Sequence, residues 1–194
     1  MEHQAISEVF NINEEKKKKI TSQVKNFLNL KKLLEGLFEE PISEFLETLF
    51  VGAIILEASD VHVEPQENRA RIRLRIDGIL QDLLFINLEI YKRLCSRIKL
   101  LSGLKLNVED RPQDGRFSIV FSDSEKVEVR TSTLPSEQGE FLVLRLLNPK
   151  NLIEVEELGL REDLLKIFKE EIRKPFGMIV VTGPTGSGKT TTLY

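Results

Sequence analysis

A chain of 194 residues, 41% hydrophobic and 30% charged, has enough apolar mass to bury a core and suits one globular domain plus the start of another. Its net charge of -3 argues against general nucleic-acid affinity, which needs a clustered Lys/Arg excess, so no direct nucleic-acid partner is expected. The single cysteine, Cys95, excludes an intramolecular disulfide framework and a Cys-only zinc site; it fits a reducing compartment and lies in an apolar helical pattern that makes it a core thiol. The start "MEHQAISEVF" lacks the basic-then-apolar order of a signal peptide, and no run approaches the roughly 18 apolar residues of a membrane span. The expectation is a cytoplasmic protein.

Residues 1–40 read as short helices rich in Lys and Glu, with Phe27, Leu28, Leu30, Leu33, Leu34, Leu37 and Phe38 forming an apolar stripe. Pro41 opens a second helix, in which Ile42, Phe45, Leu46, Leu49, Phe50, Ala53 and Ile54 recur at three and four. From Ser59 the period changes to two. "DVHVEP" and "RARIRLRIDG" alternate, with Ile72, Leu74 and Ile76 on one face and Arg71, Arg73 and Arg75 on the other. Asp77-Gly78 signals a hairpin, and "ILQDLLFI" returns as a strand. Tyr91, Leu94, Cys95, Ile98, Leu101 and Leu104 mark another amphipathic helix. "EDRPQDGRFSIVF" reads as a turn, with Asp114-Gly115 at its bend, leading into a strand; "KVEVRTSTL" alternates, "SEQGE" reads as a loop, and "GEFLVLRLL" is a more continuously apolar strand. Strands joined by short turns and interrupted by one helix predict an α+β domain with a mainly antiparallel sheet. After a linker, "NPKNLIEVEELG", a helix spans Leu160 to Lys174 and stops at Pro175. "GMIVVTG" then has the composition of a short strand buried on both faces of a parallel sheet.

The last stretch, "GPTGSGKT", fits the phosphate-loop pattern G-x-x-x-x-G-K-[ST] through Gly183, Gly188, Lys189 and Thr190. Its glycines let successive backbone N–H groups curl around phosphate oxygens. Lys189 supplies a point charge to the β and γ phosphates, and Thr190 offers a hydroxyl to Mg2+. The pattern nominates Gly183, Pro184, Thr185, Gly186, Ser187, Gly188, Lys189, Thr190 and Thr191 as an ATP-binding loop, with Thr190 as the Mg2+ ligand. Hydrolysis needs a further Asp or Glu, normally from a later strand, and none follows Lys189 in this sequence. The loop is therefore expected to be poorly held and the chain by itself catalytically incompetent.

Several stretches together resemble the secretion and pilus-assembly ATPases of the GspE/PulE/PilB type, the motors of type II secretion and type IV pilus systems. They are "ASDVHVEP" (58–65), "RLRIDGIL" (73–80), "RIKLLSGL" (97–104), "EDRPQDGR" (109–116), "VRTSTLPSEQGE" (129–140), "RLL" (145–147) and "GPTGSGKTTTLY" (183–194). The resemblance implies a helical extension in residues 1–40, a PAS-like domain in 41–148, and in 149–194 a linker with the first helix, strand and phosphate loop of a truncated RecA-like domain. It further implies ATP and Mg2+ as cofactors, a hexameric ring, inner-membrane secretion or pilus platform proteins as partners, and a cytoplasmic location peripheral to the inner membrane.

In such motors the N-terminal domain lends arginines to the phosphates. That gives the Arg71, Arg73, Arg75 stripe two readings: an anion site, or cross-strand ion pairs with residues such as Glu128. Arg75 is the preferred phosphate contact, with Arg111, Arg116 and Arg145 as further candidates. Within an alternating strand, His62 reads as structural, and Glu140 either approaches a nucleotide or pairs with an arginine. The leading expectation is the N-terminal portion of a motor that hydrolyses ATP to drive secretion or pilus assembly. The alternative is a non-enzymatic binding module that joins an intact motor ring.

Overall fold

The computed structural model describes residues 9–122, 125–147, 155–184, 187–189 and 192. By compactness the chain forms two units, 1–148 and 149–194.

The first unit is built on a seven-stranded sheet in the order β1-β5-β6-β7-β2-β3-β4. Its strands are β1 (Val9–Asn11), β2 (Asp60–Pro65), β3 (Ala70–Ile76), β4 (Ile79–Ile86), β5 (Gln113–Ser122), β6 (Glu125–Ser136) and β7 (Gly139–Leu147). The β1–β5 pair is parallel and every other pair antiparallel, as the short connections require. Asp77 and Gly78 adopt φ of 49° and 77°, the primed turn that the right-handed twist of a hairpin favours. The stretch "SEQGE" is tighter than the expected loop: Ser136 pairs with Gly139, so Glu137 and Gln138 alone form the turn and Glu140 already belongs to β7.

Four helices accompany this sheet: α1 (Glu14–Gln23), α2 (Phe27–Glu35), α3 (Ile42–Ile55) and α4 (Leu88–Leu101). Asparagine starts three of them, Asn13, Asn26 and Asn87 each accepting a backbone N–H three residues on, while Pro41 leads into α3. Phe45, Leu46, Leu49 and Phe50 of α3 and Leu94 and Ile98 of α4 lie in one core with Val61, Ile72, Leu74, Phe117, Val129 and Leu144 of the sheet. Phe50 is the hub, its ring edge-on to Phe10 of β1 (centroids 5.9 Å apart) and tilted against Phe117 of β5 at 5.6 Å. The N-terminal residues, expected as a separate helical extension, join this core through Phe10, Ile20, Leu30 and Leu34, and β1 extends the sheet. A three-residue strand carries too little pattern to be read ahead of the structure.

Asp114 and Gly115 do not form the expected turn. They are the second and third residues of β5, facing Ser132 and Thr131 of β6. The glycine is needed for a different reason: a Cβ there would sit 2.2 Å from the Ser102 carbonyl oxygen at the end of α4. Gln113 makes the actual bend, accepting the Lys105 N–H at 3.0 Å and donating to the Lys105 and Val108 carbonyls at 3.1 and 2.9 Å.

The same loop closes over a buried ion pair. Lys99 and Glu140, with side chains 2% and 6% exposed, meet at 2.7 Å. Lys99 Nζ also donates to the carbonyls of Val108 (2.8 Å) and Leu106 (3.2 Å), so all three ammonium protons are used. Tyr91 Oη accepts the Glu140 N–H and donates to its carbonyl, both at 2.8 Å. Beside it the buried Cys95 thiol is pushed up to about 12, burial being the main cause, which suits the inert core thiol expected from the sequence.

In the second unit a 3-10 turn (Val155–Glu157) precedes α5 (Glu162–Glu171), which begins and ends slightly inside the predicted helix. The expected strand at "GMIVVTG" is not formed. Residues 177–183 have no regular structure, and Met178 and Val180 are 86% and 70% exposed. A strand of this composition is stable only with ladder partners on both sides, and the described residues of this unit supply none.

Two stability predictions follow from these contacts. Gly115→Ala should destabilise the first unit by about 1–3 kcal/mol in urea unfolding, because the backbone of Ser102 must move. Lys99→Met should cost about 3–5 kcal/mol by leaving a buried carboxylate unpaired, and adding Glu140→Met should recover most of that loss.

Candidate functional site

The face of the sheet opposite the helical core carries the charge. On β3 the alternation is as read from the sequence: Ala70, Ile72 and Leu74 are buried, and the three arginines point to the other side. Two of the three are neutralised locally. Arg71 Nη2 lies 2.6 Å from Glu64 Oε2 and Arg73 Nη1 3.1 Å from Glu64 Oε1, while Arg73 Nε is 3.0 Å from Asp82 Oδ1 but out of line for a hydrogen bond. The cross-strand ion pairs foreseen for this stripe therefore exist, with Glu64 and Asp82 in place of Glu128. Glu128 instead stands 3.8 Å from Arg130.

Arg75 belongs to a different set. The register places Arg116 of β5 opposite Arg130 of β6, Arg130 opposite Arg145 of β7, Arg145 opposite Asp60 of β2, and Asp60 opposite Arg75. Directly opposed residues share a face with Cβ atoms about 4.5–5.5 Å apart, so four arginines and one aspartate form a single row across five strands. Arg116, Arg130 and Arg145 are exposed. Asp60, 4% exposed, is 3.0 Å from Arg145 Nε and 3.2 Å from Arg75 Nε. Among the described residues Arg116 has no ion-pair partner. Like charges directly opposite destabilise a sheet, each pair by up to about 1 kcal/mol at 4 Å in water. Three guanidinium groups therefore stand side by side on this face, Arg145 beside Asp60 and Arg130 3.8 Å from Glu128.

His62 lies next to this row on β2, half-buried, with burial as the main cause of a pKa below the ordinary histidine value. It is opposite Arg73 and Val143, which fits the structural role read from the sequence. Glu140 approaches no arginine; its partner is the buried Lys99. Arg111 is exposed in the loop before β5.

In the second unit, the predicted loop residues Gly183, Pro184, Ser187, Gly188 and Lys189 are described, whereas Thr185, Gly186, Thr190 and Thr191 lie outside the described residues. Gly188 has a φ of 83°, open to glycine at no steric cost. Lys189 and Thr192 are helical, and the Thr192 N–H donates to the Gly188 carbonyl at 2.9 Å. The Lys189 ammonium donates to the carbonyls of Gly183 and Pro184, both at 2.7 Å, and so is folded onto its own loop. Among the described residues no cluster of three His, Cys, Asp or Glu could hold a metal ion.

Arg130 is the residue that reading the sequence missed. In "KVEVRTSTL" it is one more polar position in an alternating strand; only the register of β5, β6 and β7 shows it at the centre of the row.

Comparison with known proteins shows the family of the chain. The family model described as "Type II/IV secretion system protein" matches residues 36–194. The chain is 40% identical over 157 residues to the type IV pilus assembly ATPase PilB of Acinetobacter baylyi, covering 80% of this chain and 27% of that protein. It is 44% identical over 163 residues to the type II secretion system protein E of Aeromonas hydrophila, covering 84% of this chain and 32% of that one. In fold it is similar to the Legionella pneumophila ATPase DotB, at a TM-score of 0.52 and 20% identity, over 77% of this chain and 40% of that chain. The chain thus spans roughly a third of the length of these curated relatives. On the extent of the family match and the level of identity, the chain belongs to the type II/IV secretion system protein family.

Proposed function

We propose that these residues form the N-terminal part of a secretion or pilus-assembly motor that binds and hydrolyses ATP, and that the arginine row is a contact for the nucleotide's phosphates. The row carries the reading: Arg116, Arg130 and Arg145 stand side by side, exposed, Arg116 without an ion-pair partner among the described residues, Arg130 only 3.8 Å from Glu128 and Arg145 held by Asp60 through Nε. A polyphosphate fits such a row because planar guanidinium groups bind phosphate oxygens in pairs. In this reading Arg75, the contact favoured by sequence, has a smaller part, since its Nη1 is spent on the Gly78 carbonyl and its Nε on Asp60.

The remaining elements of the proposal follow the family. Residues 41–148 form a PAS-like domain and 149–194 open a RecA-like one. Backbone N–H groups of Gly183, Thr185, Gly186, Ser187, Gly188 and Thr191 cradle phosphate, Pro184, which has no N–H, fixes the backbone of the loop, Lys189 supplies charge, and Thr190 is the residue that would hold Mg2+. Mg2+ would neutralise phosphate charge. The motor works as a ring of six subunits on the cytoplasmic side of an inner-membrane secretion or pilus platform. Among the described residues no helix is long and apolar enough to cross a membrane.

For the 194-residue chain, calorimetric titration with ATP should show affinity that falls as salt is added, as phosphate contacts require. Arg130→Ala should weaken it roughly tenfold, the worth of a charged hydrogen bond. Lys189→Ala should change it little, because that ammonium is already satisfied within its own loop. No binding, or a large loss in Lys189→Ala with none in Arg130→Ala, would refute the role given to the row.

A further inference from the structure

Asp60 is an unusual member of the arginine row. Its side chain is 5% exposed, while that of Arg145, to which it is bound, is 63% exposed. As a stabilising device this is a poor arrangement. A buried carboxylate loses its hydration, and a partner that remains largely in water returns little of that loss. The geometry of the contact suits another purpose. Asp60 Oδ1 accepts from Arg145 Nε at 3.0 Å, and Oδ2 accepts from Ser59 Oγ at 2.8 Å and faces Arg75 Nε at 3.2 Å. Both arginines are thus gripped at Nε, behind the fork. Arg75 then turns Nη1 onto the Gly78 carbonyl at 3.0 Å, whereas the described bond of Arg145 is through Nε alone. Its two terminal nitrogens have no described hydrogen bond of their own.

We infer that Asp60 is a positioning residue for the phosphate site: it holds Arg145 by Nε so that Nη1 and Nη2 are aligned with Arg130 and Arg116 before the anion arrives. The inference rests on the reading of the row as a polyphosphate contact. A long arginine side chain has several rotatable bonds, and ordering it only on binding would reduce affinity. The negative charge of Asp60 opposes anion binding, but it is shared between Arg75 and Arg145 and so does not cancel the row. Pre-alignment therefore outweighs it. Ser59, exposed just before β2, supports the carboxylate from behind.

The test titrates inorganic tripolyphosphate, and separately ATP, into the 194-residue chain by calorimetry. Asp60→Asn is expected to weaken both about tenfold, and Arg145→Ala by a similar factor. The double variant should be no weaker than Arg145→Ala alone, because Asp60 acts through that side chain; a merely structural role would make the two losses multiply. In the free protein, the slowly exchanging Arg145 Nε–H resonance should be present in the wild type and lost in Asp60→Asn. Should Asp60→Asn fail to fold, Ser59→Ala serves in its place, with a two- to threefold loss expected that vanishes in the Arg145→Ala background. Wild-type or tighter binding by the Asp60 or Ser59 variant, with losses in Arg130→Ala and Arg145→Ala, overturns the positioning role alone. Unchanged binding in both arginine variants overturns the phosphate reading and the inference together.

Discussion

The contact on which the first unit depends is the buried pair of Lys99 and Glu140. Taking a carboxylate and an ammonium out of water costs several kcal/mol per ion, which partners return in part: the ammonium is fully bonded, whereas Glu140 Oε1 is buried without a hydrogen bond. Here Lys99 uses every proton, two of them on the carbonyls of Leu106 and Val108, so one side chain joins α4, the loop after it and the hairpin of β6 and β7. Tyr91 adds a second link from α4 to the backbone of Glu140 itself. Gly115 completes the junction by letting the end of α4 lie against β5. The strands that carry Arg116, Arg130 and Arg145 are thereby held in one register by the helix behind them.

Register is what gives the open face its chemistry. A one-residue slip of β6 would turn Arg130 into the core and bring Val129 or Thr131 to the surface. With the observed pairing, two kinds of arginine coexist within one sheet. Arg71 and Arg73 are matched by Glu64 and Asp82 and contribute an ion-paired surface. Arg116, Arg130 and Arg145 face one another across β5, β6 and β7, where the register sets arginine opposite arginine, and Asp60 marks the border between the two sets. The difference lies in which neighbours the strand order provides, since the side chains are chemically identical.

The two ends of the chain show how context overrides local pattern. Residues 9–35, ahead of the family match, add β1 and two helices to the core although they read as a Lys/Glu-rich helical extension. The segment 177–183 has strong strand composition and forms no strand. In one case a few apolar side chains, Phe10 above all, find a prepared surface; in the other a continuous apolar run has no ladder to join.

Much was legible in the sequence by itself. The change of period at Ser59, the Asp77-Gly78 turn, the amphipathic spacing of α3 and α4 and the sided alternation of β3 are local consequences of backbone geometry, and local geometry is written in neighbouring residues. The motifs that mark the family are likewise contiguous strings. What only the tertiary structure decided is non-local: that Glu140 meets Lys99, that Asp114-Gly115 lies in a strand under the end of α4, and that Arg130 stands between Arg116 and Arg145. These pairings join residues 13 to 41 positions apart, and no spacing along a chain specifies them. They follow from which strands pair, in what register, and over which helix, a choice made by the burial of the whole core at once.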